Sequence, residues 1–220
     1  MTIKGIIFDF NGTLFWDTQL HNRAWDKYLS RKGMRITDLE KSEHMHGRTS
    51  QDIFEYITGR SLSIEEVAEM TEEKEAIYRV ECEKQEVSLA RGACELLESL
   101  VKLKVPIGLA TASGKSNVDY FIEKFSLDQY FPKKAIIFDD GVIPGKPNPA
   151  LFLIAMDALG LSPEDTLIFE DSISGVKAAE NAGAGRIIII DSAGQDYSWS
   201  HHPVIESFEA FDVHEFLSST

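Results

Sequence analysis

In the stretch IKGIIFDFNGTLF an apolar run, Ile3, Ile6, Ile7 and Phe8, leads straight into the acid Asp9, and Asn11 and Gly12 then read as a turn. VPIGLATAS ends on Thr111, Ala112 and Ser113, followed by a glycine. GVIPGKPNP is a turn-rich loop with one cation, Lys146, and TLIFED ends on the acids Glu170 and Asp171. These residue types suit phosphoryl chemistry. Asp9 and Asp171 can hold a hard cation such as Mg2+, which takes a few carboxylates, waters and a phosphate oxygen. Thr111 and Lys146 can grip the other phosphate oxygens, helped by a helix N-terminus. A carboxylate held beside metal and phosphate can attack phosphorus and form an aspartyl-phosphate. An acid after one apolar run is often only a cap or turn residue. The set taken together, with Lys146 in a G-K-P-x-P loop, favours a shared site over separate caps.

The elements that must position these residues are five short apolar runs, at 3–10, 105–111, 135–138, 166–171 and 186–191. Most are continuous rather than alternating, as strands covered on both faces are. Helical stripes lie between them. Ala93, Leu96, Leu97, Leu100 and Val101 form one, and Val118, Phe121, Ile122 and Phe125 another. In NPALFLIAMDALG, Asn148 can cap, Pro149 suits the first helical position and Gly160 can end the helix. Strand alternating with helix predicts an α/β fold with an open, Rossmann-like, doubly wound parallel sheet. Ligands of such sheets bind beyond the C-terminal ends of the strands, where Asp9, Thr111, Glu170 and Asp171 fall.

One connection, from about residue 10 to about 105, is far too long for a crossover. His21, Ala24, Trp25, Tyr28 and Leu29 share a helical face within it, and Ser63 with Glu66 forms a capping box. A small helical domain, 16–87, inserted after the first strand accounts for this. The core is then 1–15 with 88–220. Both linkers leave the same end of the sheet, so the insert is expected to act as a lid that excludes water.

The 220 residues suit one core domain with a small insert, and 43% hydrophobic residues suffice for a sizeable core. Lys and Arg total 22 against 36 acids, a net charge of -14. That argues against nucleic acid as a partner. It also requires local compensation for an anionic substrate. Cys82 and Cys94 form no C-x-x-C and no Cys/His ligand cluster, so they read as reduced thiols of a cytoplasmic protein. No apolar run approaches ~18 residues and no signal pattern opens the chain, so no membrane partner is expected. Size and acidity suit a monomer or a weak homodimer.

FDFNGTLF, ATAS, GKPNP and FEDSISGVKAA occur in that order, and with them the chain resembles the haloacid dehalogenase-like superfamily. The helical insert looks like the cap of its β-phosphoglucomutase-like and phosphoglycolate phosphatase-like branch. The resemblance implies Asp9 as nucleophile, with Thr111 and Lys146 binding the phosphoryl group beside Ala112 and Ser113. It implies Mg2+ held by Asp9, the backbone carbonyl of Asn11 and Asp171, with Glu170 beside it. It implies a small phosphorylated metabolite as substrate. His21 stands where mutase-like members place a His that helps open the catalytic door, but its helical neighbours favour a packed core histidine. Arg48 suits a substrate anion. It stands about two positions before the mutases' arginine, where this chain has Ser50 or Gln51, and that shift weakens a mutase reading. His44 and His46 lie two apart, share no helical face, and read as surface or loop residues.

The family's usual motif is D-x-D-G-[TV], whose second acid protonates the leaving alcohol and later takes a proton from the attacking group. Asn11 keeps the shape but cannot shuttle a proton near pH 7. It is either an engineered trap, a natural variant with another proton carrier, or the mark of a binding protein that turns over poorly. A natural variant is favoured, because FNGTLF reads as a coherent strand, turn and cap. Activity is then expected on acyl or aryl phosphates, whose leaving groups need little protonation. An Asn-Gly pair can also deamidate and restore an acid.

Rival readings fare worse. ATASGKS misses the P-loop register, since five residues rather than four separate Gly108 from Gly114. A dehalogenase of the same fold lacks the acidic pair that Glu170 and Asp171 supply. A phosphatase is expected first, a hexose-phosphate mutase second, and a non-catalytic binding protein is the rival from another class.

Overall fold

The computed structural model describes residues 3–45, 48–213 and 216. In chain order the elements are β1 (Gly5–Phe8), α1 (Thr18–Arg31), α2 (Asp38–His44), α3 (Ser50–Thr58), α4 (Ile64–Glu83) and α5 (Ala93–Lys102). Next come β2 (Ile107–Gly114), α6 (Lys115–Phe125), β3 (Ile136–Asp139), α7 (Ala150–Leu159), β4 (Thr166–Glu170), α8 (Ile173–Asn181), β5 (Arg186–Ile190) and β6 (Val204–Ile205). The chain divides into two compact units, Met1–Trp16 with Ser88–Thr220, and Asp17–Val87.

The first unit is an α/β sheet of six parallel strands in the order β3-β2-β1-β4-β5-β6. β1 lies centrally, so the order reverses beside it, where open sheets bind ligands. Both faces are covered, and that is why the strands lack alternation. On one face Ile7, Ile168 and Ile187 pack with Phe152 and Met156 of α7 and Val176 and Ala179 of α8. On the other, Phe8 stacks on Phe169 at 5.2 Å, Phe208 meets both rings and Phe131 meets Phe8. Each such buried side chain contributes roughly 1.5–3 kcal/mol.

The five expected strands form, with shifted ends. β1 stops at Phe8 and β4 at Glu170, so Asp9 and Asp171 lie just past their strands. β2 runs on through Ala112 and Ser113 to Gly114, because a register shift between Ala110 and Gly114 lets it keep pairing with β3. β6 was not foreseen; its two residues are too short for a periodic signal. Helix α7 starts at Ala150, one residue later than expected, with Pro149 at the cap position and Asn148 Oδ1 accepting from Ala150 N at 3.0 Å. Gly160 ends that helix in the left-handed region. Val101, placed on the α5 stripe, is instead exposed at 44%, since it lies on the edge of the face that Leu97 and Leu100 bury.

Every described element of the second unit is a helix. α1 packs on α4. Its buried residues are Leu20, Ala24, Trp25, Tyr28 and Leu29, and the Trp25 and Tyr28 rings meet Phe54 of α3. The Ser63–Glu66 capping box starts α4, and a second one, Thr37–Glu40, starts α2. No described helix is long and apolar enough to cross a membrane.

Candidate active site

Strand register builds the site. Phe8 pairs with Leu109 on one side and Phe169 on the other, so the residues that follow, Asp9 and Glu170, emerge side by side. Asp9 N donates to Phe169 O at 3.0 Å, which carries the ladder one residue beyond β1. Asp9 and Glu170 are both buried. Lys146, also buried, comes in from the loop before α7 and donates to Asp9 Oδ1 at 2.5 Å and to Glu170 Oε1 at 2.6 Å. Its ammonium lies 4.9 Å from the centre of the Phe152 ring. One cation thus bridges two strand-end acids.

Glu170 is the most heavily bonded of the acids. Its Oε2 accepts from Asp171 N and Ser172 N, both at 2.7 Å, and from Ser172 Oγ at 3.0 Å. With Lys146 on Oε1, both oxygens are engaged by protein donors. Glu170 therefore fixes the turn from β4 into α8, whose N-cap is Ser172. Asp171 is aimed differently: Thr13 Oγ1 donates to its Oδ1 at 3.2 Å.

The charge balance is one ammonium against three carboxylates. Burial pushes the Asp9 carboxyl up to about 7, with Lys146 pulling it down and Glu170 raising it further. Burial, then Glu170, then Asp9 raise the Asp171 carboxyl well above the usual range. Burial alone lowers the Lys146 ammonium, but the carboxylates of Asp9 and Glu170 outweigh it and hold the group firmly protonated.

Oxygens of Asp9, Glu170 and Asp171 lie within 4.8 Å of one another. The donor set is all oxygen and carries excess negative charge, and that fits a hard divalent ion. The close approach has a steric condition. A Cβ on Gly12, whose φ is +83°, would lie 2.1 Å from Asp171 Oδ2, and one on Gly175 would lie 1.6 Å from Glu170 Oε1. Only glycine leaves room for the two acids.

Asn11 and the β2 residues form the opposite wall. Thr111 Oγ1 accepts from Ser113 N at 3.0 Å and donates to Asn11 Oδ1 at 3.3 Å. Ser113 Oγ donates to the same Oδ1 at 2.7 Å. Ala112 lies between them, half-buried. α6 begins directly after Gly114, so its N-terminal amides start beside these hydroxyls.

The structure thus brings together Asp9, Asn11, Thr111, Ser113, Lys146, Glu170 and Asp171 within one unit. Thr13 and Ser172, which orient the two acids, were not singled out from sequence. Their signal was a hydroxyl directly after the Gly12 turn and one directly after Asp171. His21 and Arg48 belong to the helical unit. The His21 ring stacks on Tyr78 at 3.9 Å, with Nε2 3.2 Å from Asp17 Oδ2 and Nδ1 2.7 Å from Lys74 Nζ. It is half-buried, and Leu20 rather than His21 lies on the covered face of α1. Arg48 is exposed, just before the α3 cap Thr49. His44 is exposed at the end of α2 against the Tyr56 ring, and His46 lies outside the described residues. Cys82 is buried and Cys94 exposed, both free; burial pushes the Cys82 thiol up to about 12.

Comparison with known proteins points one way. The family model described as haloacid dehalogenase-like hydrolase matches residues 6–189. A phosphorylated carbohydrates phosphatase of Thermotoga maritima is 30% identical over 194 residues, 84% of this chain and 84% of that protein. A β-phosphoglucomutase of Mycobacterium bovis is 25% identical over 223 residues, 88% of this chain and 83% of that protein. The crystal structure of a hydrolase of family IA, variant 3, from Entamoeba histolytica superposes with a TM-score of 0.89 at 34% identity, covering 98% of each chain.

Proposed function

Because this chain belongs to the haloacid dehalogenase-like hydrolases, we propose that it is a Mg2+-dependent phosphatase of small phosphorylated metabolites, acting through an aspartyl-phosphate on Asp9. The observation that carries this reading is the buried triad in which Lys146 bridges Asp9 and Glu170 beside Asp171. The phosphatase relative from Thermotoga supports the substrate class.

Asp9 and Asp171, with the backbone carbonyl of Asn11, are the groups to hold Mg2+, and Glu170 braces them. When bound, the ion supplies positive charge to the phosphoryl oxygens and orients them. Lys146 stays protonated next to Asp9 and offers its charge to the phosphoryl group. Thr111 and Ser113 present hydroxyls, and the first amides of α6 add to the anion cradle. An oxygen of Asp9 attacks phosphorus, the bond to the leaving oxygen breaks, and water later cleaves the phospho-aspartate.

Asn11 defines the finer reading. An amide has no proton to give near pH 7. Leaving groups that depart as stable anions, such as those of acyl and aryl phosphates, are therefore favoured over sugar alkoxides. The reading includes a cytoplasmic protein with reduced thiols.

The test is phosphate release with and without Mg2+ across sugar phosphates, phosphoglycolate, acyl phosphates, an aryl phosphate and pyrophosphate, with peptide mass analysis for a phosphoryl group on Asp9. Mg2+-dependent release that vanishes in Asp9→Asn is expected. Hexose-phosphate isomerisation without net release would replace the phosphatase with a mutase. Ligand-dependent thermal stabilisation without any release would leave a binding protein.

A further inference from the structure

Away from the strand-end acids, Glu180, His201 and His202 form a second cluster of metal-ligating side chains, with one candidate ligand atom from each within 4.8 Å of the others. Glu180 lies one residue from the end of α8. Eight residues of chain, roughly 12 Å of helix axis, separate it from Ser172 beside the first site. The two histidines precede β6.

Three features make the cluster more than a chance encounter of exposed side chains. First, the pair is preassembled: His202 Nε2 lies 2.9 Å from Glu180 Oε1. Second, adjacent side chains of an extended chain point to opposite sides, yet the His201 and His202 rings lie 4.1 Å apart at 38°. Third, the backbone that imposes this bend is pinned. Ser200 N donates to Tyr197 O at 2.9 Å, His202 N to Ser200 Oγ at 3.1 Å, and Ile189 N to Pro203 O at 2.8 Å. Glu180 is held on its side by α8, whose Val176, Ala178 and Ala179 are buried.

We propose that Glu180, His201 and His202 bind a transition-metal ion of the Zn2+ class, at a site separate from the strand-end acids. Two imidazole nitrogens and one carboxylate oxygen are the donors such an ion takes, at about 2.0–2.2 Å each. Ligand atoms around a tetrahedral ion are then about 3.4 Å apart. Side-chain rotation closes the cluster to that size, with water filling the remaining position. Mg2+ and Ca2+, which take oxygen ligands, are excluded by the two imidazoles. The net charge of -14 favours cation capture overall.

The experiment is equilibrium dialysis of the whole protein against ZnCl2 in excess Mg2+, which occupies the strand-end acids. The variants are His201→Ala, His202→Ala, Glu180→Gln and, as control, Asp171→Asn. Co2+ absorption in the visible range reports imidazole ligation independently. The expected result is one Zn2+ per chain, lost in either histidine variant, weakened in Glu180→Gln and retained in Asp171→Asn. Unaltered Zn2+ uptake in the histidine variants, or its loss only in Asp171→Asn, overturns the site. Circular dichroism separates a lost ion from a lost fold, and Glu180→Gln, which keeps the side chain's shape while removing its charge, decides the matter if a histidine variant unfolds.

Discussion

Ser113 Oγ donates to Asn11 Oδ1 across 2.7 Å, so the side chain two residues beyond Asp9 is gripped by β2. A carboxylate at position 11 would accept the same bond and add a transferable proton. Asn11→Asp is therefore expected to raise kcat on a sugar phosphate by about 10²- to 10⁴-fold, with a much smaller gain on an aryl phosphate. Steady-state kinetics on the two substrates checks this; equal rates before and after the change would separate position 11 from proton transfer.

The same turn bears on chemical ageing. Deamidation of Asn11 needs the Gly12 nitrogen to attack the Asn11 side chain, and Gly12 N is engaged with Phe15 O at 2.7 Å. The folded protein is expected to keep Asn11 intact far longer than the urea-unfolded chain. Peptide mass analysis of paired incubations measures the ratio, and equal rates would contradict the protection.

Lys146 joins two buried carboxylates, so removing it takes the cation from Asp9 Oδ1 and Glu170 Oε1 together. Lys146→Met is expected to cost about 3–5 kcal/mol, the typical penalty for breaking a buried ion pair from one side. Urea denaturation in metal-free buffer provides the comparison. A loss below about 1 kcal/mol would mean that the two carboxylates do not depend on the Lys146 ammonium.

Gly175→Ala places a methyl 1.6 Å from Glu170 Oε1, and Gly12→Ala places one 2.1 Å from Asp171 Oδ2 at a φ of +83°. Gly12→Ala meets both a clash and an unfavourable backbone conformation, which costs of order 1–3 kcal/mol by itself. Both variants are expected to lose activity, with the melting temperature lowered in each. Phosphate release at the wild-type rate from either would show that the acids move aside freely.

Glu66 supplies a pH signature for the helical unit. Arg60, then the Ser63 amide, holds its carboxyl at about 2, below the ordinary 4.5. A depressed carboxylate stabilises the fold above its unfolded value, and that contribution fades as pH falls from about 4.5 towards about 2. Glu66→Gln should lower the melting temperature at pH 7, and the gap should narrow by pH 3. Calorimetry at the two values tests it; a constant gap would tie the effect to the capping geometry alone.

Much of the fold was legible because burial on both faces leaves a strong mark: IIF before Asp9 and LIF before Glu170 read as strands without any partner in view. α1 and α4 were legible through the Trp25 stripe and the Ser63–Glu66 box. β6 was not, since two residues carry no period. The ends of strands were blurred for a related reason. Apolar character continues past the last ladder bond at Phe10, while pairing with β3 carries β2 past its apolar part to Gly114.

By itself the sequence determined which residues sit at the sheet's carboxyl edge: an acid, an amide, a hydroxyl pair, a lysine and an acidic pair, each following a strand or filling a Gly/Pro loop. Only the tertiary structure decided what each one does there. That Lys146 spans Asp9 and Glu170, that both Glu170 oxygens are committed to protein donors, that Ser113 grips Asn11, and that His201 and His202 turn together towards Glu180 all depend on lateral register and side-chain direction. Those quantities arise from packing between segments far apart in the chain, and a one-dimensional pattern of polar and apolar residues does not contain them.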